Sequence, residues 1–336
     1  MELETLTDLT QARLEVKISP RDKSVESLAE DVIAGLSANP KTLPPKYFYD
    51  QTGSKIFEEI CELPEYYPTR TERAILSTYA DEIAAAFDDE ITLIELGSGN
   101  SSKTRLVIEA FIRRFGRLHY MPIDISKSIL VETADRLLAS YPRLSMTAYV
   151  SDYHTALYNL KREDPGAKLI LFLGSNIGNF EPDEAERFLK KTFATMKRED
   201  RLLMGVDLLK EADILIPAYD DARGVTARFN LNLLTRINRE LDGDFDLEQF
   251  RHKVVFNRAS SRVEMHLESR RAQVVTLARI DRRFDFDRGE TIHTENSYKF
   301  TLPQIEALAL KGGFELQNTW LDARKWFSLN LLEPLS

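Results

Sequence analysis

Hydrophobic residues fall into short runs that each end in polar or glycine residues, and helical patterns separate them. The runs are Ile91–Glu95, His119–Asp124, Met146–Val150 and Lys168–Leu173, with residues 201–208 as a fifth. Such a series predicts a parallel sheet whose strand C-terminal ends form a ligand crevice. Helical periodicity is read at Ser27–Leu36, where Ser27 and Glu30 have capping-box spacing, and again at Gly53–Leu63 and Thr69–Phe87. Asp213–Glu240 reads as one helix, and Lys253–Phe300 alternates with period two, as antiparallel strands do. Gln304–Leu310 predicts a helix stopped by Gly312-Gly313, and Phe314–Trp320 with Trp326–Leu332 a closing hairpin. The expected architecture is α/β: a Rossmann-like seven-stranded sheet with one antiparallel edge strand, carrying an inserted α+β domain.

The first run continues into Gly97-Ser98-Gly99, a glycine turn that lets a nucleotide approach the backbone without Cβ atoms in the way. Asn100, Ser101 and Ser102 offer caps for the helix that follows. The third glycine of a dinucleotide fingerprint is missing and Glu95 stands two residues before the turn, a pattern that suits S-adenosylmethionine (SAM) better than NAD. Asp124, 25 residues after Gly99, is placed to hold ribose hydroxyls. Asp152 and Tyr153 put a carboxylate beside a ring, where an adenine is bonded and stacked.

Composition narrows the classes. The 336 residues are 43% hydrophobic, enough for a large core in two domains or one domain with a big insertion. With 54 acids against 45 bases the chain has no nucleic-acid footprint. No apolar run nears the roughly 20 residues that span a bilayer, and the N-terminus lacks a signal peptide's apolar core, so a cytoplasmic protein without membrane contact is expected. Cys61, the single cysteine, excludes an internal disulfide and reads as packing on an apolar helix face. The five histidines form no H-x-x-x-H or H-E-x-x-H pair, and no metal is expected. The first 24 residues are polar and irregular and are expected to be flexible.

Thr291–Phe300 places His293, Glu295, Ser297 and Lys299 on one face, and Thr294, Asn296, Tyr298 and Phe300 on the other. Polar groups on both faces describe either a solvated edge strand or a pocket wall on which Glu295 and Ser297 converge on a polar ring. The tyrosines between prolines, at Tyr47–Tyr49 and Tyr66–Tyr67, fit either pocket lining or loop packing.

Five strings together resemble a known family: Pro44-Pro45-Lys46-Tyr47-Phe48-Tyr49-Asp50, Leu63-Pro64-Glu65-Tyr66-Tyr67-Pro68-Thr69-Arg70-Thr71-Glu72, Glu95-Leu96-Gly97-Ser98-Gly99, Phe172-Leu173-Gly174-Ser175-Asn176-Ile177-Gly178-Asn179 and Ala218-Tyr219-Asp220-Asp221. The family is the histidine Nα-methyltransferases of ergothioneine biosynthesis, and the resemblance runs from about residue 27 to the C-terminus. It implies a substrate-binding domain at 25–70 and 210–298, a methyltransferase domain at 71–209 and 299–336, and conversion of L-histidine to the trimethylated betaine hercynine by a monomer. By resemblance, Tyr49, Gly174, Asn179 and Tyr219 hold the amino acid's amino and carboxylate ends, with Tyr49 and Asn179 at the reacting amine. Tyr66, Met265, Glu295 and Ser297 surround the imidazole. Gly97 and Lys103 lie near the methionine part of SAM, Asp124 at the ribose, and Asp152 with Tyr153 at the adenine. Tyr153 stands where the family often has phenylalanine.

Two alternatives are weighed against this. An N-methyltransferase of another amino acid, or of an indole amino acid, predicts an apolar residue at Glu295. A non-catalytic SAM- or nucleotide-binding protein predicts loss of the substrate-side tyrosines. Neither expectation is met by the sequence.

Overall fold

The computed structural model describes residues 13–18, 24–163 and 166–335. Strands in chain order are β1 (Leu14–Ile18), β2 (Lys41–Thr42), β3 (Thr92–Leu96), β4 (Leu118–Asp124), β5 (Leu144–Val150), β6 (Lys168–Phe172), β7 (Arg201–Asp207), β8 (Phe250–Asn257), β9 (Arg262–Ser269), β10 (Gln273–Leu277), β11 (Arg282–Phe286), β12 (Thr291–Tyr298), β13 (Phe314–Leu321) and β14 (Phe327–Pro334). The α-helices are α1 (Ser24–Ser37), α2 (Gln51–Cys61), α3 (Tyr67–Ala85), α4 (Arg105–Phe115), α5 (Lys127–Ser140), α6 (Tyr153–Glu163), α7 (Pro182–Phe193), α8 (Ala212–Tyr219), α9 (Val225–Leu241) and α10 (Leu302–Lys311). Two compact units divide the chain: Met1–Pro20, Pro68–Leu208 and Phe300–Ser336 form the first, and Arg21–Tyr67 with Leu209–Lys299 the second.

The first unit is an α/β sheet in the order β1-β5-β4-β3-β6-β7-β14-β13. Strands β1, β5, β4, β3, β6 and β7 are parallel, and β14 runs antiparallel between β7 and β13. Successive residues serve opposite faces: Leu93, Leu169 and Leu171 join one core with Val107 and Phe111 of α4, while Ile94, Ile170 and Phe172 join another with Phe188 and Leu189 of α7. A sheet covered on both faces needs the near-continuous apolar strands seen in the sequence.

Two expectations for this sheet are corrected. It has eight strands rather than seven, because Leu14–Ile18, inside the stretch expected to be flexible, pairs parallel with β5. Leu14 is half-buried against the core while Val16 and Ile18 are exposed, and Arg13 donates to the carbonyls of Leu138, Tyr141 and Leu144, which ties this edge strand to the sheet. Residues 1–12 and 19–23 lie outside the described residues. The antiparallel strand is also not the edge: β14 is internal, and β13 closes the sheet.

The second unit packs α9 against α2, β8 and β9. Its main sheet runs β2-β12-β9-β8, and β10 with β11 forms a separate antiparallel pair. The expected single helix at 213–240 is two: α8 runs through Pro217 to Tyr219, and the chain breaks at Asp220 (φ −138°) before the left-handed Gly224 (φ 69°) leads into α9. The Asp221 carboxylate then accepts from the N–H groups of Val225 and Thr226 at 2.9 and 2.7 Å to start α9. The first helix begins at Ser24, so Ser27 lies inside it instead of capping it, and its hydroxyl is 3.3 Å from that of Tyr47.

Candidate active site

The residues expected on the cofactor side follow the C-terminal ends of β3, β4 and β5. Gly97 (φ 73°) and Gly99 (φ 50°) make the turn after β3, conformations that cost glycine least. A Cβ on Gly97 would stand 2.6 Å from the Tyr153 hydroxyl and 3.3 Å from Asn176 Nδ2, so glycine is needed for this approach. Asp124 ends β4 and accepts from Gly99 N–H at 2.9 Å through one oxygen and from Ser126 N–H at 2.9 Å through the other. Burial raises the Asp124 pKa, and these N–H bonds oppose the rise. Tyr153 sits edge-on to Phe172, with centroids 5.5 Å apart, and burial pushes its phenol up.

Asp152 has a local task as well. Its carboxylate accepts from the Thr155 N–H at 3.0 Å and the Thr155 hydroxyl at 2.8 Å, capping α6. The caps expected from Asn100, Ser101 and Ser102 do not close α4, whose N-cap is Thr104 with no side-chain bond to the helix's own N–H groups. The hydroxyls serve a buried polar knot instead. Thr104 donates to Glu95 Oε1 at 2.6 Å, Tyr120 donates to Glu95 Oε2, and Ser101 lies 2.8 Å from the Tyr120 hydroxyl. Burial lifts Glu95 to about 7 against those two bonds.

Lys103 and Gly174 also belong to the first unit, and a residue to which the sequence assigned no role joins them. Glu72, fully buried on α3, accepts from Gly174 N–H at 2.8 and 3.1 Å and pairs with Lys103 Nζ. Asn179 ends the 3₁₀ turn Asn176–Asn179 that follows β6.

In the second unit, Tyr49, Phe57, Tyr66 and Tyr219 form a run of edge-on rings at 5.5, 6.2 and 6.3 Å. Phe57 was not singled out in the sequence, where it reads as one more apolar position of a short helix. Burial raises the Tyr66 phenol well above its ordinary value, and the fields of Tyr219, Tyr49 and Glu295 add to the rise.

Strand β12 carries Glu295 and Ser297, and its register corrects the expected faces. His293 pairs with His266 and Glu295 with Met265, so Thr294 is an extra residue, a bulge. Thr294 donates to Asn230 Oδ1 at 2.9 Å and to the Met265 carbonyl at 3.0 Å, which anchors the bulge. The extra residue puts His293 with His266 on one face and leaves Glu295, Ser297 and Lys299 with Met265 on the other.

On that second face Lys299, 2% exposed, donates to the Tyr219 hydroxyl and to Ser297 Oγ, both at 2.7 Å. Tyr219 and Ser297 lie 2.7 Å apart. Residues assigned by resemblance to opposite ends of the amino acid are therefore hydrogen-bonded to each other. Burial lifts Glu295 to about 7, and the Lys299 charge pulls it back down. Tyr219 is pinned by His252, whose Nε2 donates to the Tyr219 carbonyl at 2.8 Å and whose Nδ1 accepts from Asn230 at 2.9 Å. The sequence pattern placed Lys299 on the face of Glu295 and Ser297. It gave no sign that the ammonium is buried, because Tyr219 comes from a helix nearly eighty residues away.

On the opposite face His266 and His293 stack at 4.7 Å with Glu264 beside them, their three donor atoms within 4.8 Å of one another. The rings are 22° from parallel, so their in-plane lone pairs run side by side instead of meeting, and Glu264 already accepts from Arg262 and Asn257 at 2.7 and 3.0 Å. Among the described residues no helix is long and apolar enough to cross a membrane.

Residues 28–334 match the family described as histidine-specific, SAM-dependent methyltransferases. The histidine N-alpha-methyltransferase of Mycolicibacterium smegmatis is 42% identical over 315 residues, covering 92% of this chain and 96% of that one. Its counterpart in Mycobacterium tuberculosis is 41% identical over 305 residues, with 91% and 94% covered. Ergothioneine biosynthesis protein 1 of Schizosaccharomyces pombe is 29% identical across 82% of this chain, which spans 36% of that longer protein. This chain belongs to the SAM-dependent, histidine-specific methyltransferase family.

Proposed function

We propose that this protein methylates the α-amino nitrogen of L-histidine three times to give hercynine, in ergothioneine biosynthesis. The observation that carries the choice of acceptor is the Glu295 carboxylate beside the hydroxyl cluster of Ser297, Tyr219 and Lys299. Lys299 donates to both oxygens and so occupies lone pairs on each, which biases the pair toward offering a proton to a ligand. One acceptor and one donor side by side match a neutral imidazole, whose two nitrogens need one of each. An indole satisfies only half of that pattern, and a phenyl ring none.

In this reading Tyr66 and Met265 complete the ring pocket. Tyr49, Gly174, Asn179 and Tyr219 take the amino and carboxylate ends. Gly97 and Lys103 take the methionine part of SAM, Asp124 its ribose, and Asp152 with Tyr153 its adenine. The glycine-only approach at Gly97 and the carboxylate on the adjacent strand end support the cofactor assignments.

SAM supplies a methyl group already activated on a sulfonium. The protein's work is geometric: it must present a neutral amine nitrogen about 3 Å from that carbon, on the side away from sulfur. Tyr49 and Asn179 orient the nitrogen lone pair. Each of the three transfers requires the amine to give up a proton, a neutral phenol does not take it, and water can carry it away. As the nitrogen gains permanent positive charge, tyrosine rings stabilise it by cation–π contact of about 0.5–2 kcal/mol.

Incubation of the purified protein with SAM and each of the twenty amino acids, read by mass spectrometry, tests the assignment. Histidine is expected to gain three methyl groups, all on the α-nitrogen. Methylation confined to the ring nitrogens, or preference for another amino acid, would contradict it.

A further inference from the structure

Glu72 lies in the most specific of the sequence strings, and the family resemblance gave it no role. It is fully buried, so it does not touch a ligand. Its carboxylate nevertheless holds two groups assigned above to ligands: one oxygen accepts from the Gly174 N–H at 2.8 Å, and the other pairs with Lys103 Nζ. The neighbouring strand leaves room for it. A Cβ on Gly205 would stand 2.0 Å from Glu72 Oε1, so β7 carries glycine where the carboxylate passes. Gly174 has φ 75°, and its Cβ position lies 3.8 Å from Lys103 Nζ, which puts loop, ammonium and carboxylate in one cluster.

We propose that Glu72 is a positioning residue for the cofactor's methionine end: through its ion pair it fixes the Lys103 ammonium in the place where it receives the amino-acid part of SAM, and through the Gly174 N–H it ties that lysine to the loop after β6. A buried carboxylate with a lysine and an N–H is costly to leave half-paired, so replacing it releases both partners at once. A lysine on a flexible four-carbon stem then has to be ordered by the ligand itself. The inference rests on the assignment of Lys103 to the cofactor's methionine end.

The test compares two ligands by calorimetry: S-adenosylhomocysteine, which has the amino-acid end, and 5′-methylthioadenosine, which lacks it. Glu72→Gln should raise the dissociation constant of S-adenosylhomocysteine about 10- to 30-fold and leave that of methylthioadenosine unchanged. In a Lys103→Met background, adding Glu72→Gln should cost much less than it does alone, because the two act through one contact. Should Glu72→Gln not fold, Glu72→Asp keeps the charge and shortens the reach, and the same ligand selectivity is expected. Equal weakening of both ligands would overturn the proposal, and so would unchanged or tighter binding of S-adenosylhomocysteine in a folded variant. If Lys103→Met alone leaves S-adenosylhomocysteine binding untouched, the assignment of Lys103 fails first and the role of Glu72 falls with it.

Discussion

Glu95 and Glu295 are both buried carboxylates lifted to about 7, yet they stand in opposite surroundings. Glu95 lies next to the last residue of β3 and accepts from two hydroxyls inside the same unit's core, Thr104 and Tyr120. Glu295 stands on the wall of the substrate half, where the Lys299 charge is what opposes its burial. One is a fixed strut beneath a glycine turn, and the other is the group proposed above to meet the ligand's ring. In the substrate half, binding itself is expected to change the protonation of a carboxylate.

The largest effect should come from removing that group. Glu295→Ala is expected to raise the histidine dissociation constant about 10- to 100-fold, because the imidazole N–H loses its acceptor in a pocket that excludes water. SAM affinity should hardly change, and the kcat/KM advantage of histidine over phenylalanine and tryptophan should narrow. Wild-type KM with unchanged selectivity would leave Glu295 a buried packing group with no part in reading the ring.

Asp124→Ala follows on the cofactor side. It removes the acceptor assigned to the ribose hydroxyls and also releases the N–H groups of Gly99 and Ser126. The expected loss of SAM affinity is about 1.5–3 kcal/mol, read by calorimetry. An unchanged dissociation constant would mean that the end of β4 does not face the cofactor.

A smaller change is expected from Lys299→Met, which removes the donor shared by Tyr219 and Ser297 and the charge that restrains Glu295. The KM for histidine should rise about 5- to 10-fold, and the pH at which kcat/KM increases should move upward. A lost KM without a moved pH profile would indicate packing alone.

The smallest effect concerns stability. The folded-state pKa of Glu95, about 7, lies above its ordinary 4.5, so the unfolded chain gives up this proton more readily. Stability should therefore fall as pH rises from about 4.5 to about 7 and level off above. In Glu95→Gln, thermal melts between pH 5 and pH 8 should show a shallower decline than the wild type, and an equal slope would remove Glu95 as the cause.

The two halves also differed in how far the sequence disclosed them. The cofactor half follows local rules: each apolar run is one strand, each break is a strand end, and Gly97, Asp124 and Tyr153 fall where those ends meet. Its missed strand, Leu14–Ile18, has only five residues in a polar stretch and is held by a partner more than a hundred residues away. The substrate half depends on non-local register. The Thr294 bulge turns His293 to the other face, and strict alternation cannot signal an inserted residue whose anchors, Asn230 and Met265, come from other elements. Lys299 was visible as a polar position, but lysines on strands are ordinarily solvated. Glu72 was missed because a glutamate in the first turns of a helix carries no signal of the Gly174 loop it holds.

The central claim is that ionised Glu295 accepts a proton-bearing imidazole nitrogen while the Ser297 cluster serves the other. Calorimetric titration of histidine into wild type and Glu295→Gln from pH 6 to pH 8.5 tests it most directly. The wild type should gain affinity relative to the variant as pH rises through about 7, where Glu295 ionises, and should release more protons on binding below that pH. The same pH dependence and proton release in both proteins, or a wild-type advantage that fades above pH 7 as an imidazolium–carboxylate pair requires, would contradict it.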